Sequence, residues 1–326
     1  MKILALVCFL AAVVCAPAQT EPPKLIQTIP LPGVAGRIDH LAADIKGQHL
    51  FIASLGNNTV EVVDLKTGTK IQSLSGFSEP QGIVYALEFD RIFAANGSDG
   101  TCRILDGHSF KTLNTVTIGD DADNARYDKR ARRVYVGYGD GALAALDAKT
   151  GAKTANIKLA GHPEAFQLEE NGNRIFVNVP SAGQIAVVNR ENQTVTATWP
   201  TTGAGGNFPM ALDEANRRLF VGCRSPARLL VYDTDSGKLV ANMEINGDND
   251  DLFYDAKRKC LYLSCGEGFL DVMAQRDADH YETITNLPTA SGARTSLFVP
   301  ELDRLYLAVP HRWGRNAEIR VFQIPP

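Results

Sequence analysis

Apolar and polar residues alternate along this chain in short runs, and one run returns seven times. His49, Leu50, Phe51, Ile52 and Ala53 set the pattern. It recurs at 91–95, 133–137, 174–178, 218–222, 259–264 and 304–308. Its aromatic anchors are Phe51, Phe93, Tyr135, Phe176, Phe220, Tyr262 and Tyr306, spaced 41 to 44 residues apart. That period is the length of a four-stranded propeller blade. Within each anchor run the side-chain period of two sets the aromatic on the same face as a small residue two positions later. Those small residues are Ala53, Ala95, Gly137, Asn178, Gly222, Ser264 and Ala308. A large-then-small face suits sheets that pack closely around an axis.

Each anchor run is followed by a polar turn and a second aliphatic run, several of which end in an acid: Asp64, Asp106, Asp147 and Asp233. Three of these continue into hairpins with Asp first, Thr or Ser fourth and Gly fifth, at 64–68, 147–151 and 233–237. There the glycine supplies a positive φ and the Asp caps the turn. Outer strands are expected at 70–74, 113–118, 154–159, 195–199, 239–245 and 281–287, which makes six. The seventh blade ends at 318–324 and lacks its own, whereas 25–30 has the outer-strand pattern at the start of the repeat region. The sequence therefore predicts an all-β, seven-bladed β-propeller over 24–326. An N-terminal strand completes its last blade and removes the open edge.

The anchor strand with its Asp-x-x-Thr-Gly hairpin resembles the YVTN-type (YncE-like) repeat of secreted bacterial seven-bladed propellers, related to lactonase-like and quinoprotein-like propellers. The resemblance spans about residues 24–326 and implies the fold. It implies little about activity, because members of that group bind or transform different things.

Composition narrows the picture. The 326 residues carry a formal net charge of −4, which disfavours non-specific nucleic-acid binding and adsorption to an anionic membrane. Lys2, the apolar run 3–15 and the Ala16-Pro17-Ala18 site read as a signal peptide over 1–18, so the chain is expected to be secreted or periplasmic. No stretch is long and apolar enough to span a bilayer as a helix. Cys8 and Cys15 leave with the signal; Cys102, Cys223, Cys260 and Cys265 stay. Cys223 and Cys265 share a repeat position in adjacent blades and are the best disulfide candidate.

The repeat also locates candidate chemistry. The residues 12 positions before the anchors are Asp39, Gln81, Asp123, Glu164, Phe208, Asp250 and Arg294. A constant offset predicts one ring of side chains at one mouth of the channel. Arg37, His40, Asn124, Arg126, His162, Asn207 and Asp251 flank that ring, and His311 and Trp313 stand on a longer loop at the same end. Loops between second and third strands open there too and contribute Arg224 among others.

Such a mouth fits a small polar ligand or a protein partner, with the arginines suited to a carboxylate or phosphate. Clustered acids also recruit cations. Asp39, His40, Asp123, His162, Glu164 and Asp250 are candidate ligands for a divalent ion, Ca²⁺ or Mg²⁺ by their oxygens and Mn²⁺ or Zn²⁺ with the histidines. An ion there suggests a lactonase-like hydrolase or lyase as the alternative function. A structural surface protein is the third reading, with Asp39, Asp123 and Asp250 merely pairing with Arg37, Arg126 and Arg294. The acidic stretches 120–123 and 248–251 lack the glycine and terminal glutamate of an EF-hand loop. No nucleophile elbow, H-E-x-x-H or phosphate-binding loop is present.

Overall fold

Seven four-stranded antiparallel sheets account for all 28 strands of the computed structural model, which describes residues 21–312 and 314–326. Blade 1 runs from the inside outward as Leu41–Asp44, His49–Ser54, Thr59–Asp64 and Thr69–Leu74. Blades 2 to 6 repeat this order. In blade 7 the innermost strand is Ser296–Val299, followed by Arg304–Val309 and Ala317–Gln323. Its outermost strand is Lys24–Leu31, which pairs from Lys24 opposite Gln323 to Leu31 opposite Ala317. The expected signal peptide lies outside the described residues. No described helix is long and apolar enough to cross a membrane.

The anchor aromatics sit in the layers between blades. All seven are at most 1% exposed, because each sheet turns one face of its second strand toward the next blade. Phe51 and Ala53 of blade 1 pack on Ile83, Ile92 and Ala94 of blade 2, while Leu50 and Ile52 point the other way, to Tyr306 and Ile319 of blade 7. The pattern continues around the ring to give seven apolar layers, one at each blade junction. Strand alternation thus becomes ring closure: each sheet is buried on both sides, and no single interior dominates.

Outer strands are treated alike. Each pairs with its inner neighbour through a register shift, as between Val62 and Val63 or between Val231 and Tyr232, and Lys24–Leu31 has its own between Leu25 and Gln27. One inserted residue per blade increases local twist and bends the strand around the neighbouring blade. The hairpins behave as their composition requires. Asp64, Asp147 and Asp233 accept from the backbone N–H and hydroxyl of Thr67, Thr150 and Ser236, and the following glycines have φ of 66°, 79° and 68°.

The candidate Cys223–Cys265 disulfide is not formed; both cysteines are free and buried. The repeat itself explains why. Cys223 packs in the layer between blades 4 and 5, and Cys265 in the layer between blades 5 and 6. Equal positions in adjacent blades are one sheet spacing apart, about 10 Å, whereas bridged Cα atoms lie roughly 4.4–6.8 Å apart.

Candidate functional site

Antiparallel order puts the entries to the innermost strands and the loops from second to third strands at one end of the ring. At that end all seven residues of the constant-offset set line a single cavity of about 250 Å³. Two local devices bring six of them there. In blades 1, 3 and 4 the ring residue precedes its strand and is pinned by the small residue of the anchor run. Asp39, Asp123 and Glu164 donate their N–H to the carbonyls of Ala53, Gly137 and Asn178 at 2.8, 2.9 and 3.0 Å. In blades 2, 5 and 6 the innermost strand is longer and carries a register shift around Gln81, Phe208 and Asp250. The shift re-aims those side chains toward the axis.

The cavity has two electrostatic halves. On one side Asp250 is held between Arg224 Nη2 at 2.5 Å and Arg294 Nε at 2.9 Å, and Arg294 Nη1 also reaches Asp248 at 2.7 Å. Arg224 lies over the Phe208 ring, 3.5 Å from its centroid. Burial raises the Asp250 pKa, and the two guanidinium groups oppose that rise.

On the other side the acids are poorly matched. Asp39 is 4% exposed and meets Arg37 at 3.3 Å and His40 at 3.8 Å. Burial, with the charges of Asp123 and Asp250, pushes its pKa up to about 7. Glu164 has no side-chain hydrogen bond or ion pair among the described residues. Burial first, then Asp123 and Asp250, push it up to about 8. His162 rises to about 9, chiefly through Asp123, against the cost of burial. Its Nδ1 is 2.8 Å from the Gly139 carbonyl and its Nε2 is 3.8 Å from Asp123 Oδ2.

Beneath the cavity lies a buried polar floor. Asn124 Nδ2 lies 2.8 Å from His40 Nε2, and His40 Nδ1 faces Asp251 Oδ1 at 3.5 Å. Burial disfavours a charged His40, but Asp251 and then Asp39 outweigh it and raise its pKa to about 10. Asp251 also accepts the Ser296 N–H at 2.7 Å.

Not every residue that the sequence assigns to the mouth lines this cavity. Arg126 lies three residues further along its strand than Asp123, about 10 Å down the axis at roughly 3.3 Å per residue. It bonds Asn124 Oδ1 and the Ala125 carbonyl and lines a second cavity of about 390 Å³ with Tyr85, Tyr127 and Asp251. The expected Asp123–Arg126 pair is therefore absent, whereas the Asp39–Arg37 and Asp250–Arg294 pairs are made. Asn207 alternates away from Phe208 and is fully buried, donating to Asn178 Oδ1 and the Gln184 carbonyl at 3.0 Å each. His311 is exposed and stands apart from the cavity lining. Trp313 lies outside the described residues.

Two polar lining residues lie outside the constant-offset set and its flanking residues: Arg224, expected at this end from its loop, and Asp121, which the sequence did not single out. Arg224 reaches the cavity because its strand, Arg218–Ser225, has eight residues where the other anchor strands have six. Asp121 enters from the loop before Asp123 and accepts from Gln81 Nε2 at 3.2 Å.

No family model and no curated protein matches the chain. Among solved structures, one titled "Crystal Structure of Mitotic Checkpoint Complex" aligns with TM-score 0.80 at 10% identity, covering 100% of this chain and 99% of the other. "Kuenenia stuttgartiensis Hydrazine Synthase" aligns with TM-score 0.74 at 14% identity, covering 95% and 99%. These likenesses establish the seven-bladed propeller architecture and leave activity to the site itself.

Proposed function

We propose that this propeller is a binding protein whose acidic, arginine-flanked mouth holds a small polar ligand, with a cationic donor group at one end and an anionic group at the other. The observation that carries this reading is the unequal matching of charge in one cavity. Asp250 is satisfied by two arginines, whereas Asp39, Asp123 and Glu164 crowd together and Glu164 makes no side-chain hydrogen bond or ion pair among the described residues. A purely structural network would neutralise each buried acid, because an unpaired one costs stability. An ammonium or guanidinium group among these acids would relieve their repulsion, and a ligand carboxylate would meet Arg294 and Arg37. A cavity near 250 Å³ is small for an organic ligand site, which favours compact ligands over extended peptides.

The YVTN-type kinship and a secreted or periplasmic location belong to the same proposal, supported by the Asp-x-x-Thr-Gly hairpins and by the leader-like residues 1–18. A metal-dependent hydrolase or lyase is the second reading, favoured by the grouping of Asp123, His162 and Glu164.

The test is calorimetry and ligand-observed NMR on protein kept in EDTA, with free amino acids and dipeptides as probes. Binding by amine-bearing probes, weakened tenfold or more in Glu164→Gln and Asp39→Asn, is the expected result. Binding that ignores both substitutions, or none across the panel, would overturn the reading.

A further inference from the structure

Three side chains in the unmatched half of the mouth combine features that charge crowding alone does not require. His162 and Glu164 are two residues apart in the segment that leads into the strand Phe166–Leu168, and both line the cavity. Asp123 reaches them from the neighbouring blade. One ligand atom from each of the three lies within 4.8 Å of the other two. Around a tetrahedral ion bound at about 2.1 Å, ligand atoms sit roughly 3.4 Å apart, so small side-chain rotations close the set.

Two details suit an ion, beside the ion-pair contacts that His162 makes with Asp121 at 3.6 Å and Asp123 at 3.8 Å. The Gly139 carbonyl accepts the Nδ1–H of His162 at 2.8 Å, which leaves Nε2, 3.8 Å from Asp123 Oδ2, as the atom free to coordinate. A ring nitrogen held by a backbone carbonyl, with the other turned into a cluster, is the usual support of a metal-ligating histidine. In addition, both carboxylates are left free to coordinate. Among the described residues Asp123 has only His162 Nε2 within ion-pair range, at 3.8 Å, and Glu164 makes no side-chain hydrogen bond or ion pair, with the charges of His162 and Arg224 acting on it from further off. By contrast His40 and Asp250, also candidates from the sequence, are committed elsewhere: His40 to Asn124 and Asp251, Asp250 to Arg224 and Arg294.

We infer that Asp123, His162 and Glu164 form a three-ligand site for a first-row divalent ion of the Zn²⁺ or Mn²⁺ kind, with its remaining positions open to the cavity. One imidazole and two carboxylates suit those ions, while Ca²⁺ asks for six to eight oxygens. The assignment concerns the ion alone: it shares Asp123 and Glu164 with the proposed ammonium position, so ion and ammonium exclude each other there, and each is tested in the absence of the other.

The experiment titrates Zn²⁺, Mn²⁺ and Ca²⁺ into the metal-stripped chain by calorimetry, with no organic ligand present. One Zn²⁺ per chain is expected, bound at least a hundredfold more tightly than Ca²⁺ and weakened tenfold or more by Glu164→Gln and His162→Asn. Melting of each variant without metal verifies that it folds. A reading that needs no variant is the ¹⁵N spectrum of the His162 ring, where Zn²⁺ should shift Nε2 and leave Nδ1 protonated. Absence of stoichiometric binding, equal affinity in the folded variants, or an unmoved His162 ring would each overturn the site. The EDTA-held ligand experiment above is unaffected by any of these outcomes.

Discussion

At the scale of single residues, the mouth is a set of groups that hold their protons more tightly when folded. Asp39 rises from 3.8 to about 7 and Glu164 from 4.5 to about 8, both mainly through burial. His162 and His40 rise from 6.5 to about 9 and about 10 through neighbouring carboxylates that overcome burial. For a raised group, the contribution to stability is complete below the unfolded value and is lost as pH climbs through the folded one. The four windows together run from about pH 4 to about pH 10. The melting temperature should therefore fall as pH increases from 5 to 9, and Asp39→Asn with Glu164→Gln should flatten the part below pH 8. A melting temperature that climbs over that range would contradict the electrostatics described here. These residues were legible in the sequence because a constant offset from an aromatic maps onto a constant place in a blade. Asn207 and Arg126 were misplaced because offset gives position along the chain but not the face or depth of a side chain. Alternation turns Asn207 between blades, and three residues of rise carry Arg126 down the channel.

At the scale of one blade, the small residue two positions after the aromatic is set by the approach of the next blade's inner strand. A Cβ on Gly222 would stand 2.6 Å from Pro209 Cγ and 2.6 Å from Asn249 Oδ1, and Asn249 is fully buried with its Nδ2 committed to the Cys223 carbonyl. Gly222→Val should therefore destabilise the protein by about 1–3 kcal/mol, the usual cost of overpacking. It should also weaken ligand binding at the mouth, because Phe208 and Asp250 flank the residues displaced. Denaturant unfolding measures the first effect, and an unchanged midpoint would show that the strands are looser than their contacts imply. Asn178 occupies the same position in blade 4 and spends its side chain on the Phe208 and Pro209 carbonyls at 3.0 and 3.2 Å. The sequence shows that position as merely small or polar. Its role as a peg between inner strands depends on contacts more than 20 residues away, which no local pattern encodes. The same holds for the cysteines: a shared repeat position signals equivalence, and in a propeller equivalence means separation by a whole blade.

For the whole molecule, the decisive contact joins the two ends of the repeat region. Lys24–Leu31 adds the outermost strand to blade 7, and Ile29 and Leu31, 1% and 0% exposed, enter the layer shared by blades 7 and 1. Burial of these two side chains alone is worth roughly 1.5–3 kcal/mol each. Without the strand, Ala317–Gln323 would present an unpaired edge open to other chains. Removal of residues 24–30 should thus lower the melting temperature by at least about 5 °C and promote association. Loss of a strand could also act simply by shortening the chain, and a permutant separates the two causes. Because Lys24 lies opposite Gln323 in an antiparallel pair, a short turn after Pro326 can lead directly into residues 24–31. A chain that starts at Gly33 and ends with this transplanted strand keeps every pairing but changes how the ring is covalently closed. If pairing at this seam stabilises the ring, the permutant melts near the intact protein while the deletion does not. If both melt alike, the seam contributes little and stability resides in the other six junctions.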